Sequence, residues 1–90
     1  MHRYHPISCD LHDYLEIACL HRLLLQVELL DGEVFRAIAL TTLSTARKEE
    51  FLRLDCGGQR REVRLDALHA ITPQGPAVPF GRIVLAQRPG

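Results

Sequence analysis

Residues 23–40 read LLLQVELLDGEVFRAIAL, and the way this stretch folds back on itself decides the architecture. Leu23, Leu25, Val27 and Leu29 alternate with Leu24, Gln26, Glu28 and Leu30, which is the two-residue period of a strand. Asp31-Gly32 is a hairpin signal, because glycine accepts the left-handed backbone a tight turn needs. Two registers compete. A three-residue loop, Leu30 to Gly32, pairs Leu29 with Glu33 and Val27 with Phe35, and turns Phe35, Ala37 and Ala39 inward. A two-residue loop instead turns in Val34, Ile38 and Leu40, together with Arg36. A one-residue slip flips every side chain. Burying the Arg36 charge is costly, so the three-residue loop is expected.

Downstream the same reading continues. Thr45-Ala46-Arg47-Lys48 is a polar connection. Glu50 to Cys56 alternates Leu52, Leu54 and Cys56 against Phe51, Arg53 and Asp55, and Gly57-Gly58 turns the chain. Gln59 to Leu65 reads as a strand with Val63 and Leu65 inward, and Asp66-Ala67-Leu68 as a tight turn into His69–Thr72. A proline-rich loop, PQGPAVPFG, precedes a last strand over Arg82–Gln87 and a Pro89-Gly90 tail. Five or six short strands at this spacing predict a mainly β protein, with a small closed or nearly closed barrel over 22–87. Closure would remove exposed sheet edges.

Upstream, residues 1–8 read as a flexible, extended lead-in around Pro6. Asp10 is a good N-cap, with Asp13 three residues on. Leu11, Leu15 and Ala18 share one helical face while Asp10, Asp13 and Glu16 share another, predicting a helix over 11–20. So short a helix does not persist alone in water, so its leucine face must pack on the rest.

The chain has 90 residues, 47% of them hydrophobic, enough for one domain with one core. No apolar run is long enough for a membrane span, and no basic stretch leads into the first apolar segment as in a signal peptide. A cytoplasmic protein is therefore expected. Three cysteines, an odd number, read as free thiols. The formal net charge is zero. Residues 1–33 hold two bases against six acids, a net of −4, and residues 34–90 carry the balancing +4. Tight RNA binders usually show a basic excess, which is absent here.

The chemistry-bearing residues sort as follows. His2, His5, Cys9, His12, Cys19 and His21 could ligate zinc, but Cys9-x-x-His12 has no clear second pair, so no metal is expected. No nucleophile elbow, glycine-rich phosphate loop or HExxH motif occurs, so neither an enzyme nor a cofactor is expected. Asp10 and Asp13 fit capping and dipole compensation. Glu16 lies past the first turn and fits that explanation poorly. The row of carboxylates beside His12 and Tyr14 also suits arginines and lysines of a partner. Arg47-Lys48 and Arg60 to Arg64 could touch RNA, but Glu49, Glu50 and Glu62 interrupt them.

Tyr4-x-Pro6-Ile7-x-Cys9-Asp10, Asp13-x-Leu15-Glu16-x-Ala18-Cys19, Leu25-x-x-Glu28-Leu29-x-Asp31-Gly32-Glu33 and Glu62-x-Arg64-Leu65-Asp66 together resemble the Rho-binding antiterminator (Rof) family. The similarity covers about residues 4–72; from Pro73 on the match is poor. The resemblance implies an N-terminal helix on a small Sm-like β-barrel. It implies inhibition of the hexameric transcription termination factor Rho, by occupying the primary RNA-binding site of Rho's N-terminal domain and blocking RNA loading. The matching contact positions are Asp10, Asp13 and Glu16, with His12 and Tyr14 on neighbouring turns, and Arg47-Lys48-Glu49 as a second candidate contact. A monomer that touches no nucleic acid directly is expected. Leu11 stands where relatives can carry an acid: either it anchors the first helical turn, or the helix is a weaker competitor. The alternative reading is an Sm-like RNA chaperone acting as a ring.

Overall fold

A computed structural model describes residues 7–86. The expected hairpin register is the one formed. Leu25 faces Ala37 and Val27 faces Phe35 in an antiparallel pair of β1 (Leu24–Leu29) and β2 (Val34–Ser44). Leu29 donates its N–H to the Glu33 carbonyl at 2.8 Å, closing the three-residue loop, and Gly32 sits at φ +98°. The Asp31 carboxylate accepts the Glu33 N–H at 2.9 Å and braces the turn. The Arg36 guanidinium is left outside, on the exposed face.

β3 (Glu50–Cys56), β4 (Gln59–Arg64), a 3₁₀ turn (Leu65–Ala67), β5 (Leu68–Pro73) and β6 (Ile83–Val84) follow. All ladders are antiparallel, in the spatial order β4-β3-β2-β1-β5-β6. The register of β2 against β3 shifts between Ala39 and Thr41, a bulge at Leu40 that bends this long strand. α1 packs chiefly on β2.

Of the closed or nearly closed barrel expected, the closed form is not the one observed: the sheet stays open, and among the described residues no ladder joins β4 to β6. The segment after Pro73 carries Pro76 and Pro79, which restrict the backbone and donate no hydrogen bond. The last strand shrinks to Ile83–Val84, because Leu85 and Ala86 both turn their N–H groups to the His69 carbonyl (2.8 and 3.3 Å). The expected extension of that strand to Gln87, the Pro89-Gly90 tail, and His2, Tyr4, His5 and Pro6 lie outside the described residues. Charged side chains at Arg60, Arg61, Glu62 and Arg64 discourage further pairing at the β4 edge.

α1 (Cys9–Leu20) starts two residues earlier than expected. Ser8, not Asp10, is the N-cap: its hydroxyl accepts the Leu11 N–H at 3.3 Å. Asp10 falls instead within the first turn, where a negative charge still favours the helix dipole. The helix ends where His21 donates its backbone N–H to the Ile17 carbonyl at 3.1 Å and Arg22, at φ +51°, donates its own to Cys19 at 3.2 Å.

Leu15 and Ala18 are fully buried and enter one core with Leu25, Val27, Leu52 and Leu54. Each fully buried leucine stabilises by about 1.5–3 kcal/mol relative to exposure. Leu11 is half-buried and packs on the same core, which makes it an anchor of the first turn. No helix among the described residues is long and apolar enough to cross a membrane.

Candidate protein-binding site

Burying Leu11, Leu15 and Ala18 turns Asp10, Asp13 and Glu16 outward by helical geometry, and all three are exposed. What sets them apart is the fate of every other carboxylate. Glu28 meets Arg82 in a two-pronged pair (2.9 and 3.0 Å), and Glu33 meets Arg61 likewise (2.6 and 2.6 Å). Arg64 joins Asp66 at 2.9 Å and Glu49 at 3.4 Å. Glu62 pairs with Arg53 at 2.7 Å, and Glu50 with His12 at 2.9 Å. Asp31 and Asp55 accept backbone N–H groups of Glu33 and Gly58. Asp10, Asp13 and Glu16 alone have no hydrogen bond or ion pair among the described residues.

His12 and Tyr14 lie on opposite flanks of α1 and are engaged within the chain. The His12 Nε2–H donates to Glu50 at the start of β3, tying the helix to the strand after the Arg47-Lys48 loop. Tyr14 meets Phe80 edge-on, with centroids 5.0 Å apart. Both side chains are half-buried, so they hold the helix at an angle that keeps its carboxylates outward. Arg47 and Lys48 are exposed at the loop tip, with Lys48 at φ +62°. Glu49 is half-buried against Arg64. The fold thus gathers the three carboxylates on one face of α1, and the His12–Glu50 bond ties that helix to the strand that follows the Arg47-Lys48 loop.

Leu20 went unremarked in the sequence reading. It is 77% exposed, four residues beyond Glu16 and seven beyond Asp13, hence on the same outward face. That spacing was the available signal. Phe80 was missed as well, since nothing local in the proline-rich loop points it at Tyr14.

Other titrating groups sit away from this face. The hydrogen bonds from Arg61 hold the Glu33 carboxyl below the usual carboxylate range, and Arg61 stacks 4.2 Å over the Phe35 ring. Burial pushes the Cys19 thiol up to about 11, with Arg22 acting in the opposite sense. Cys9 is exposed, His12 is spent on Glu50, and no three possible metal ligands gather among the described residues.

A short helix clamped on an open antiparallel sheet, with three carboxylates that have no partner among the described residues, defines a small module with an acidic helix face. The chain belongs to the ROF family, described as modulators of Rho-dependent transcription termination, whose pattern it matches over residues 6–85. It is 45% identical over 65 residues to Protein rof of Escherichia coli (strain K12), covering 72% of this chain and 76% of that protein. Protein rof of Shigella flexneri matches to the same extent. Its fold resembles that of YaeO bound to magnesium from Vibrio cholerae O395, with a TM-score of 0.75 at 26% identity, over 82% of this chain and 96% of the other.

Proposed function

We propose that this chain inhibits the transcription termination factor Rho, and that α1 is the contact. Asp10, Asp13 and Glu16 occupy arginines and lysines in the primary RNA-binding site of Rho's N-terminal domain. RNA then fails to load on the hexamer, and termination is suppressed. The observation that carries the reading is that these three carboxylates, alone among the eleven acids of the chain, have no hydrogen-bond or ion-pair partner among the described residues. A side chain already bonded at home must break that contact before meeting a partner, whereas these need not. Charge-assisted bonds to guanidinium and ammonium groups reproduce what those groups offer a phosphate backbone.

In this reading the protein acts in the cytoplasm as a monomer, is not an enzyme, and needs no RNA contact of its own. Arg47 and Lys48 supply a secondary contact beside the helix. His12, Tyr14 and Glu49 act at one remove, by holding the helix and loop in place. The ring-forming RNA chaperone has less support, because the free carboxylates would repel a phosphate backbone.

The test mixes the purified protein with Rho and a C-rich RNA and follows RNA-stimulated ATP hydrolysis. Inhibition that recedes as RNA is raised is the expected result. Inhibition that RNA cannot relieve, or undiminished RNA binding by Rho saturated with this protein, would overturn the competition.

A further inference from the structure

The outer face of the sheet is a second surface left unsatisfied. Leu24 and Ile38 face each other across the β1–β2 ladder on the side away from the core, and Val34 lies on that face two rows on. They are 41%, 37% and 54% exposed, and with Leu20 on α1 they are the large hydrophobic side chains the described fold leaves in solvent. In register with them, Arg36 lies between Val34 and Ile38 on this face, and Arg60 flanks Ile38 through Asp55. Neither guanidinium has a hydrogen bond or ion pair among the described residues. The Asp55 carboxylate beside Arg60 is turned to the Gly58 N–H instead. Three exposed hydrophobic residues flanked by two unpaired arginines form a patch suited to an acidic, partly apolar partner surface.

The same chain carries such a surface. The outward side of α1 presents Asp13 and Glu16, unpaired, followed by the exposed Leu20. Helix and sheet bury their inner sides in one core, so the acidic face and the basic-apolar face point away from each other. We propose that the chain associates head to tail, the α1 face of one copy docking on the Arg36–Ile38–Arg60 face of the next. Such a contact joins two different surfaces, so each bound copy still offers one free face of each kind, and assembly does not stop at two. The patch is far smaller than a stable dimer interface, which makes the contact weak and concentration-dependent. Where the Rho reading also holds, on which this last consequence rests, self-association sequesters the face that Rho needs. Dilution or Rho itself then releases it.

The test uses the purified chain with no Rho present, so its outcome is separate from that of the Rho reading. At roughly 1 mM protein and ~20 mM salt the weight-average mass by sedimentation equilibrium rises continuously past two copies. It returns to the 10.2 kDa of one chain at ~0.5 M salt, where screening shortens the reach of surface charges. R36E/R60E and D13K/E16K are each monomeric alone, since each now sets like charges against like. Their equimolar mixture associates again, because each supplies the charge the other lost, and this recovery also reports that both are folded. A wild-type mass that stays at one chain overturns the proposal. So does association of either variant alone at wild-type strength, or a mixture that stays monomeric while the wild type associates.

Discussion

Reversing Asp13 and Glu16 together separates recognition from folding. Both side chains are exposed and bond to nothing among the described residues, and both lie beyond the first turn of a helix that begins at Cys9. Surface changes of this kind alter stability by no more than about 0.5 kcal/mol each, about 1 kcal/mol for the pair. For a chain of this size the melting midpoint therefore moves by roughly 8 °C at most. The effect on Rho is larger. An exposed ion pair is worth about 0.2–1 kcal/mol, and reversal replaces that attraction by repulsion of similar size. Two reversed positions then cost about 1–4 kcal/mol, or roughly 5- to 700-fold in Kd. Calorimetric titration of Rho with the native chain and with D13K/E16K, at ~0.1 M and ~0.5 M salt, reads this directly, and high salt should narrow the gap between the two. An affinity within twofold of native at low salt, with the melting curve unmoved, would refute the assignment of α1 as the contact.

Other expectations probe the scaffold. Leu15→Ala removes a fully buried anchor of α1, costs about 2–5 kcal/mol, and lowers the melting midpoint by at least about 8 °C. Rho affinity should fall with it, and a midpoint shift under a few degrees would mean that the helix contributes little to the core. Gly32→Ala meets nothing within 4 Å, so its cost is that of a left-handed backbone alone. That is about 1–2 kcal/mol, seen as a lower urea midpoint with unchanged slope. Iodoacetamide at pH 8 should label the exposed Cys9 well before Cys19, whose thiol burial holds up near 11, because the thiolate is the reactive form. Since the folded value lies above the ordinary 9.0, the Cys19 contribution to stability is fully present below about pH 9 and is lost as pH rises from 9 towards 11. Urea titrations across that window check the sign.

The hairpin was legible in the sequence because two local facts agreed. Asp31-Gly32 offered the turn, and the charge of Arg36 rejected the competing register. The start of α1 was less legible, because Ser8 and Asp10 are both competent caps; the choice fell to how the first turn seats Leu11 against the core. Barrel closure was not legible at all. It depends on whether the chain after Pro73 reaches β4, and no periodicity encodes that distance. At the site, the spacing of Asp10, Asp13 and Glu16 foretold a shared face. That they would be the unpaired acids could not be read locally. Glu28 finds Arg82 54 residues away, Glu33 finds Arg61 28 away, and His12 is claimed by Glu50 38 away.

Those long-range pairs bear on recognition itself. With zero net charge the protein has no overall charge to draw a basic partner from a distance. What it has is a local imbalance, sharpened because eight of eleven acids are occupied within the fold and three have no partner among the described residues. In the proposed contact such a surface discriminates at short range, once the helix already faces a basic groove of the partner. Orientation then matters more than charge, and orientation is fixed by packing. A twelve-residue helix is marginal by itself. Leu15 and Ala18 seat it, while His12–Glu50 and Tyr14–Phe80 restrain its two flanks. The cost of ordering the carboxylates is thus met during folding rather than during binding. A detached peptide of residues 8–21 would carry the same three charges and lose that advantage, so in the proposed contact the sheet supports recognition although it need not touch the partner.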